Sequence, residues 1–95
     1  MEEIRFDVVF LGTDAIDDEG RCLVSTPEEA RLAGIMRKAG NKAVLVADHT
    51  KLGAIGHIPF SRLEEFDAWI TDTGITPEKE RAFSEMTSVH TVTPV

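Results

Sequence analysis

Two nearly continuous apolar runs, each cut off by a polar tip, constrain this chain more than any other feature. Phe6-Asp7-Val8-Val9-Phe10-Leu11 ends at Gly12-Thr13-Asp14, and Lys42-Ala43-Val44-Leu45-Val46-Ala47 ends at Asp48-His49-Thr50-Lys51. Runs this short and this apolar suit strands buried on both faces of a parallel sheet. A third run, Ala68-Trp69-Ile70, ends at Thr71-Asp72-Thr73-Gly74. After the first run the stretch from Thr13 to Ser25 reads as a loop. Thr26-Pro27-Glu28-Glu29 then reads as a capping box with proline at the first helical position. Leu32, Ile35, Met36 and Ala39 follow at helical spacing, and Gly40 closes the helix. His57 to Phe60 predicts a brief edge strand limited by Pro59, and Ser61 to Phe66 a short helical turn. Thr76-Pro77 caps a second helix that runs to about Met86, and Val89 to Val95 alternates as a strand nearer the sheet edge. The resulting order β, α, β, turn, β, α, β predicts an α/β fold: a layered, mostly parallel sheet flanked by helices and joined by right-handed crossovers. Trp69 is expected in the core, and Phe10, Phe66, Phe83 and Met86 are expected to pack rather than to stack on bases.

The totals narrow the partners. At 95 residues, with 42% hydrophobic and 28% charged content, the chain corresponds to one small globular unit and is short enough to be an incomplete domain. A formal charge of −7 repels the DNA backbone and anionic membrane surfaces, so this segment is not expected to bind nucleic acid by itself. No run approaches the length needed to cross a bilayer, and Met1-Glu2-Glu3-Ile4-Arg5 lacks the order of a signal peptide. The lone Cys22 allows no internal disulfide, which fits a cytoplasmic protein; no metal site and no cofactor are expected.

In a parallel sheet the three polar tips lie along one edge, where open α/β sheets bind ligands, and should converge there. Hydroxyls, carboxylates and an ammonium after apolar strands fit a pocket for a polyhydroxylated ligand, with Gly12, Thr13 and Thr50 among its backbone and hydroxyl groups. Asp14 and Asp17 could share a sugar or do acid/base work, or could brace a turn through Asx hydrogen bonds. Lys51 could meet an anionic group or pair with Asp48 or Asp14. His49 could titrate near a ligand or be a hydrogen-bonded loop residue. Glu29 could close the capping box or face the crevice from the first turn of its helix, where free N–H groups favour an anion.

Gly12-Thr13-Asp14-Ala15-Ile16-Asp17, Glu28-Glu29-Ala30, Val44-Leu45-Val46-Ala47-Asp48-His49-Thr50-Lys51 and Ile70-Thr71-Asp72, in this order, resemble the C-terminal sensor domain of DeoR-family transcription regulators. That domain is similar in fold to type A ribose-5-phosphate isomerase, a Rossmann-like α/β layered fold. The resemblance places Asp14 and Asp17 at the isomerase's two aspartates, Asp48 to Lys51 at its Asp-Glu-Ser-Lys stretch and Glu29 at its base glutamate. The isomerase's Lys-Gly-Gly-Gly segment is replaced by Arg21-Cys22-Leu23-Val24-Ser25. Without that cation and flexible cradle, the resemblance implies binding rather than catalysis. The expected ligand is a phosphorylated sugar, contacted by Gly12, Thr13, Asp14, Asp17, Glu29, Asp48, Thr50 and Lys51. The alternative is a small sugar-phosphate isomerase using Asp14, Asp17 and Glu29. The resemblance further implies that residues 1–95 are the C-terminal part of an effector-sensing domain. In an intact repressor, the helix-turn-helix that contacts DNA and the first half of the sensor would precede them. A homo-oligomer is expected, assisted by an exposed sheet edge.

Overall fold

The computed structural model describes residues 5–93, so the expectations for Met1 to Ile4 and for the last two residues of the final strand lie outside the described residues. The first apolar run forms β1 (Phe6–Leu11) and the second forms β4 (Gly40–Val46). Between them lie β2 (Ala15–Ile16), β3 (Arg21–Val24) and α1 (Pro27–Ala39). After β4 come a short 3-10 turn over His49–Lys51, β5 (Ile58–Arg62), a second such turn over Leu63–Glu65, β6 (Ala68–Asp72), α2 (Pro77–Ser84) and β7 (Ser88–Val92). The main sheet has the order β1-β4-β6-β7, and every neighbouring pair in it is parallel. The chain therefore has the α/β layered architecture expected from its alternating elements.

The stretch from Thr13 to Ser25 is not a plain loop. It holds β2 and β3, which with β5 make a second, antiparallel sheet of order β2-β3-β5. The turn between β2 and β3 depends on Gly20, whose φ of 83° is one that L side chains rarely adopt. Asp17 closes the same turn by accepting hydrogen bonds from the backbone N–H groups of Glu19 and Arg21. Cys22 and Val24 point inward from β3, where too few residues alternate for the pattern to stand out. β5 is an edge strand as expected, but of this second sheet, with Pro59 opposite Leu23.

The core lies on one side of the main sheet. Val9, Leu11, Ala43, Leu45, Ala47 and Trp69 are buried there with Ile16, Cys22, Leu63, Phe66, Ile75 and Phe83. Trp69 is fully buried; its ring meets Phe83 edge-on at 5.7 Å, and its indole N–H donates to the Ala47 carbonyl at 2.9 Å. Met86 packs against this cluster. Burial pushes the Cys22 thiol up to about 12, so it stays protonated and unreactive in the folded state.

Two expectations are corrected. β1 is buried on one face only: Phe6, Val8 and Phe10 alternate onto the other face, where Phe10 is 62% exposed and does not pack in the core. The apolar stripe of α1 also points outward. No residue of α1 is buried, and Leu32, Ile35 and Met36 are exposed, whereas Ala33 and Gly34 are half-buried. α1 packs against β1, β3, β4 and β5.

Gly40 joins α1 to β4 in an extended conformation rather than through a left-handed cap. A Cβ at this position would lie 2.9 Å from a Val9 methyl and 2.8 Å from the Lys42 carbonyl. Gly40→Ala is accordingly expected to lower stability by roughly 1–3 kcal/mol through overpacking, which a denaturant titration would read as a shifted midpoint with little change in slope.

Candidate functional site

β1 ends against α1, and an open cleft of about 390 Å³ forms where they meet. Gly12, Thr13 and Asp14 line it from the tip of β1, Glu29 and Met36 from α1, and Leu11, Val24, Leu32 and Ala33 supply the rest of its wall. The volume lies in the range of small-molecule sites. The cleft is formed locally: Thr13 is buried, with its hydroxyl 2.9 Å from the Leu23 carbonyl and 3.0 Å from the Ala15 carbonyl. The Asp14 N–H donates to the same Leu23 carbonyl at 3.1 Å. These bonds fold the end of β1 back on β3 and leave the Asp14 side chain at the cleft. Thr13 thus acts through its backbone and its bracing hydroxyl.

Each carboxylate in the cleft is held by one hydroxyl. Ser25 donates to Asp14 Oδ2 at 3.0 Å, and Thr26 donates to Glu29 Oε1 at 3.0 Å. Thr26 also caps α1 by accepting the Glu29 N–H at 3.2 Å. Glu29 therefore contributes to the helix start and to the cleft wall at once. Among the described residues Asp14 Oδ1 and Glu29 Oε2 have no hydrogen-bond partner, and a carboxylate oxygen in that state accepts readily from hydroxyl groups.

Asp17 does not line this cleft. Its Oδ2 pairs with the Arg21 guanidinium at 2.6 Å while Oδ1 takes backbone N–H groups, so both oxygens serve the β2–β3 turn. Asp48, Thr50 and Lys51 lie beyond the end of β4, outside the cleft wall. Asp48 caps the 3-10 turn, taking the Thr50 N–H at 3.0 Å and the Thr50 hydroxyl. Lys51 makes no ion pair among the described residues, although its charge helps keep Asp48 ionised. The three tips thus share the carboxyl edge of the main sheet, but the cleft gathers only Gly12, Thr13, Asp14 and Glu29 of the eight expected residues.

Sequence reasoning did not find the apolar wall of the cleft. Leu32 and Met36 stand at i and i+4, a spacing that reads equally as a core-facing stripe. Nor did it find the pairing of His49 with Asp72, because their partnership spans 23 positions. His49 Nδ1 lies 2.9 Å from both Asp72 oxygens, and the His49 backbone N–H donates to Asp72 Oδ1 at 3.0 Å.

Four carboxyl groups are held below their ordinary range. At Asp72, partial desolvation works against ionisation, but the hydrogen bonds and charge of His49 outweigh it. Asp17 is likewise opposed by desolvation and held down by its bonds to Arg21 and Glu19. For Asp48 the Thr50 hydroxyl is the largest cause, and for Glu65 it is the Ser61 hydroxyl, 2.7 Å away. A depressed carboxyl contributes stability that is complete above its unfolded pKa and is lost as pH falls through its folded one. The melting temperature is therefore expected to fall on acidification below about pH 4. Asp72→Asn should flatten that acid limb, which melting curves across an acid pH series would reveal.

A family model for the DeoR C terminal sensor domain matches residues 1–73. The chain is similar to the HTH-type transcriptional regulator GlpR of Haloferax volcanii, with 44% identity over 72 residues that cover 76% of this chain and 28% of that protein. It is also similar to FruR of Bacillus subtilis, an uncharacterized HTH-type transcriptional regulator, with 32% identity over 94 residues covering 99% of this chain and 37% of the relative. The chain spans about a third of the length of these curated relatives.

Proposed function

Because the chain belongs to the DeoR C-terminal sensor domain family, we propose that it is the effector-recognising segment of a transcription regulator and binds a phosphorylated sugar. Residues 1–95 form the C-terminal part of the sensor in this reading, and DNA is contacted by a helix-turn-helix elsewhere in the intact repressor. The acidic surface, with a net charge of −7, agrees with that division of labour. The observation that carries the proposal is the cleft at the end of β1. Its two carboxylates each keep an oxygen available, and an apolar wall of Leu11, Val24, Leu32 and Met36 can lie against a sugar's carbon face.

Asp14 and Glu29 contact sugar hydroxyls, and Gly12 and Thr13 present backbone at the same wall. Lys51, with Asp48 and Thr50 shaping its turn, meets the phosphate at the carboxyl edge. Asp17 supports the site through the hairpin turn. Effector binding changes DNA affinity by favouring one conformation or assembly of a homo-oligomeric regulator in the cytoplasm. Binding is favoured over isomerisation because Asp17 is engaged by Arg21, which removes one of the three carboxylates an isomerase would use.

Thermal-shift titration of the chain and of the intact regulator with glucose 6-phosphate, fructose 1-phosphate and ribose 5-phosphate tests the proposal. Saturable stabilisation by at least one of them is expected, without conversion of ribose 5-phosphate to ribulose 5-phosphate. Silence of the intact regulator towards phosphorylated hexoses and pentoses alike would sink the sensing role. Turnover above an Asp14→Asn control would establish the enzyme instead.

A further inference from the structure

We propose that His49 is a ligand-contacting residue of the sensor, its imidazole aimed by Asp72 and Gly74 so that Nε2 accepts a hydrogen bond from a hydroxyl of the bound sugar. This rests on the sugar-sensing role argued above and adds a residue to it.

The ring is fixed from three directions. Asp72, at the end of β6, sits within 2.9 Å of Nδ1 through both carboxylate oxygens, and it also accepts the backbone N–H of His49. Gly74 lies flush against the ring: a Cβ there would overlap Nδ1, Cε1 and Cγ of His49. The 3-10 turn holds the backbone, with Leu52 N–H donating to the His49 carbonyl at 3.1 Å and Asp48 capping the preceding step. An ionised carboxylate on Nδ1 selects the tautomer with its proton there and leaves the lone pair on Nε2.

Nε2 has no protein partner among the described residues, and 43% of the side chain is exposed. The turn does not need this arrangement in order to form, since Asp48 already caps it and the His49 N–H bond to Asp72 already ties β4 to β6. The ring is thus held for something outside the chain, at the carboxyl edge where open α/β sheets receive ligands. His49 stands outside the wall of the β1–α1 cleft, so its partner is a hydroxyl of the part of the ligand that extends along the carboxyl edge, and an acceptor nitrogen suits the O–H donors a polyol presents along its length.

Imidazole 15N spectra of the full chain in the regulator, titrated with whichever of glucose 6-phosphate, fructose 1-phosphate or ribose 5-phosphate stabilises it, test the assignment. His49 is expected to carry its proton on Nδ1, and its Nε2 resonance should move with the same midpoint as the thermal shift. His57 and His90 serve as internal controls and should not move. His49→Gln should weaken binding by about tenfold or somewhat less and change the ranking of the three sugar phosphates. Asp72→Asn and Gly74→Ala should reproduce that changed ranking, which a merely structural tie between strand ends would not do. A static Nε2 resonance at saturation overturns the assignment, as does a His49→Gln variant with unchanged affinity and ranking. If Asp14→Ala nevertheless abolishes the response, only the role of His49 fails. If the wild-type regulator responds to none of the three, both fall.

Discussion

Trp69→Ala is expected to leave the chain without a cooperative unfolding transition at ambient temperature. The indole, carried by β6, is fully buried against Phe83. Truncating a buried tryptophan costs about 3–5 kcal/mol from lost transfer energy and the cavity left behind. The Ala47 carbonyl also loses the N–H that satisfies it, and an orphaned buried acceptor costs a further 1–3 kcal/mol or so. Small domains have roughly 5–15 kcal/mol in total, and this one leaves a whole face of β1 and the stripe of α1 uncovered. Far-UV circular dichroism against temperature checks the outcome. Trp69→Phe separates the two contributions, since it keeps most of the packing and removes the hydrogen bond. A sharp transition for Trp69→Ala within a few degrees of wild type would show that the core is organised elsewhere. The same bond bears on the site, because Ala47 is the last residue before Asp48. The tip of β4 is positioned by a core side chain.

Asp14→Ala is expected to reduce sugar-phosphate affinity by roughly 10- to 100-fold, the effect of removing a charged acceptor from a bound hydroxyl. Stability should change little, because the only side-chain bond Asp14 makes among the described residues is to the exposed Ser25 hydroxyl. Glu29→Gln should lose less than Asp14→Ala, since the amide oxygen still accepts. It should also leave the helix start intact, because Thr26 caps the backbone with its own side chain. Isothermal titration of the intact regulator compares the three proteins. Equal affinity in wild type and Asp14→Ala would remove the cleft from the effector site, whatever else the regulator binds. Asp17→Ala should behave in the opposite way, unsettling the β2–β3 turn with little direct effect on a bound sugar.

Much of this architecture is legible in the sequence because it is encoded over short distances. An apolar run closed by a glycine or aspartate specifies a strand and its end. Thr26-Pro27 and Thr76-Pro77 specify helix starts, since an N-cap hydroxyl and a proline at the first position act within one turn. The hairpin inside Thr13 to Ser25 was less legible. Its strands are too short for periodicity, and the charged turn Asp17-Asp18-Glu19-Gly20 resembles any solvated loop. Phe10 shows a different limit: a strand apolar on both sides looks the same whether or not both faces are covered within the chain.

The sequence by itself determined the α/β alternation, the parallel strands with polar tips and the acidic net charge. Only the tertiary structure decided which strand tip opens onto a cleft and what each side chain is free to do. Asp14 and Asp17 are alike in sequence, yet the first opens onto the cleft while the second is spent on Arg21 and two backbone N–H groups. Helical spacing could not tell which side of α1 faces inward, because that depends on how the helix docks against β1, β3, β4 and β5. His49 and Asp72 meet only because β4 and β6 are adjacent in the sheet. Periodicity and caps are local and survive in a string of letters, whereas burial and hydrogen-bond partnership are set by contacts between distant segments.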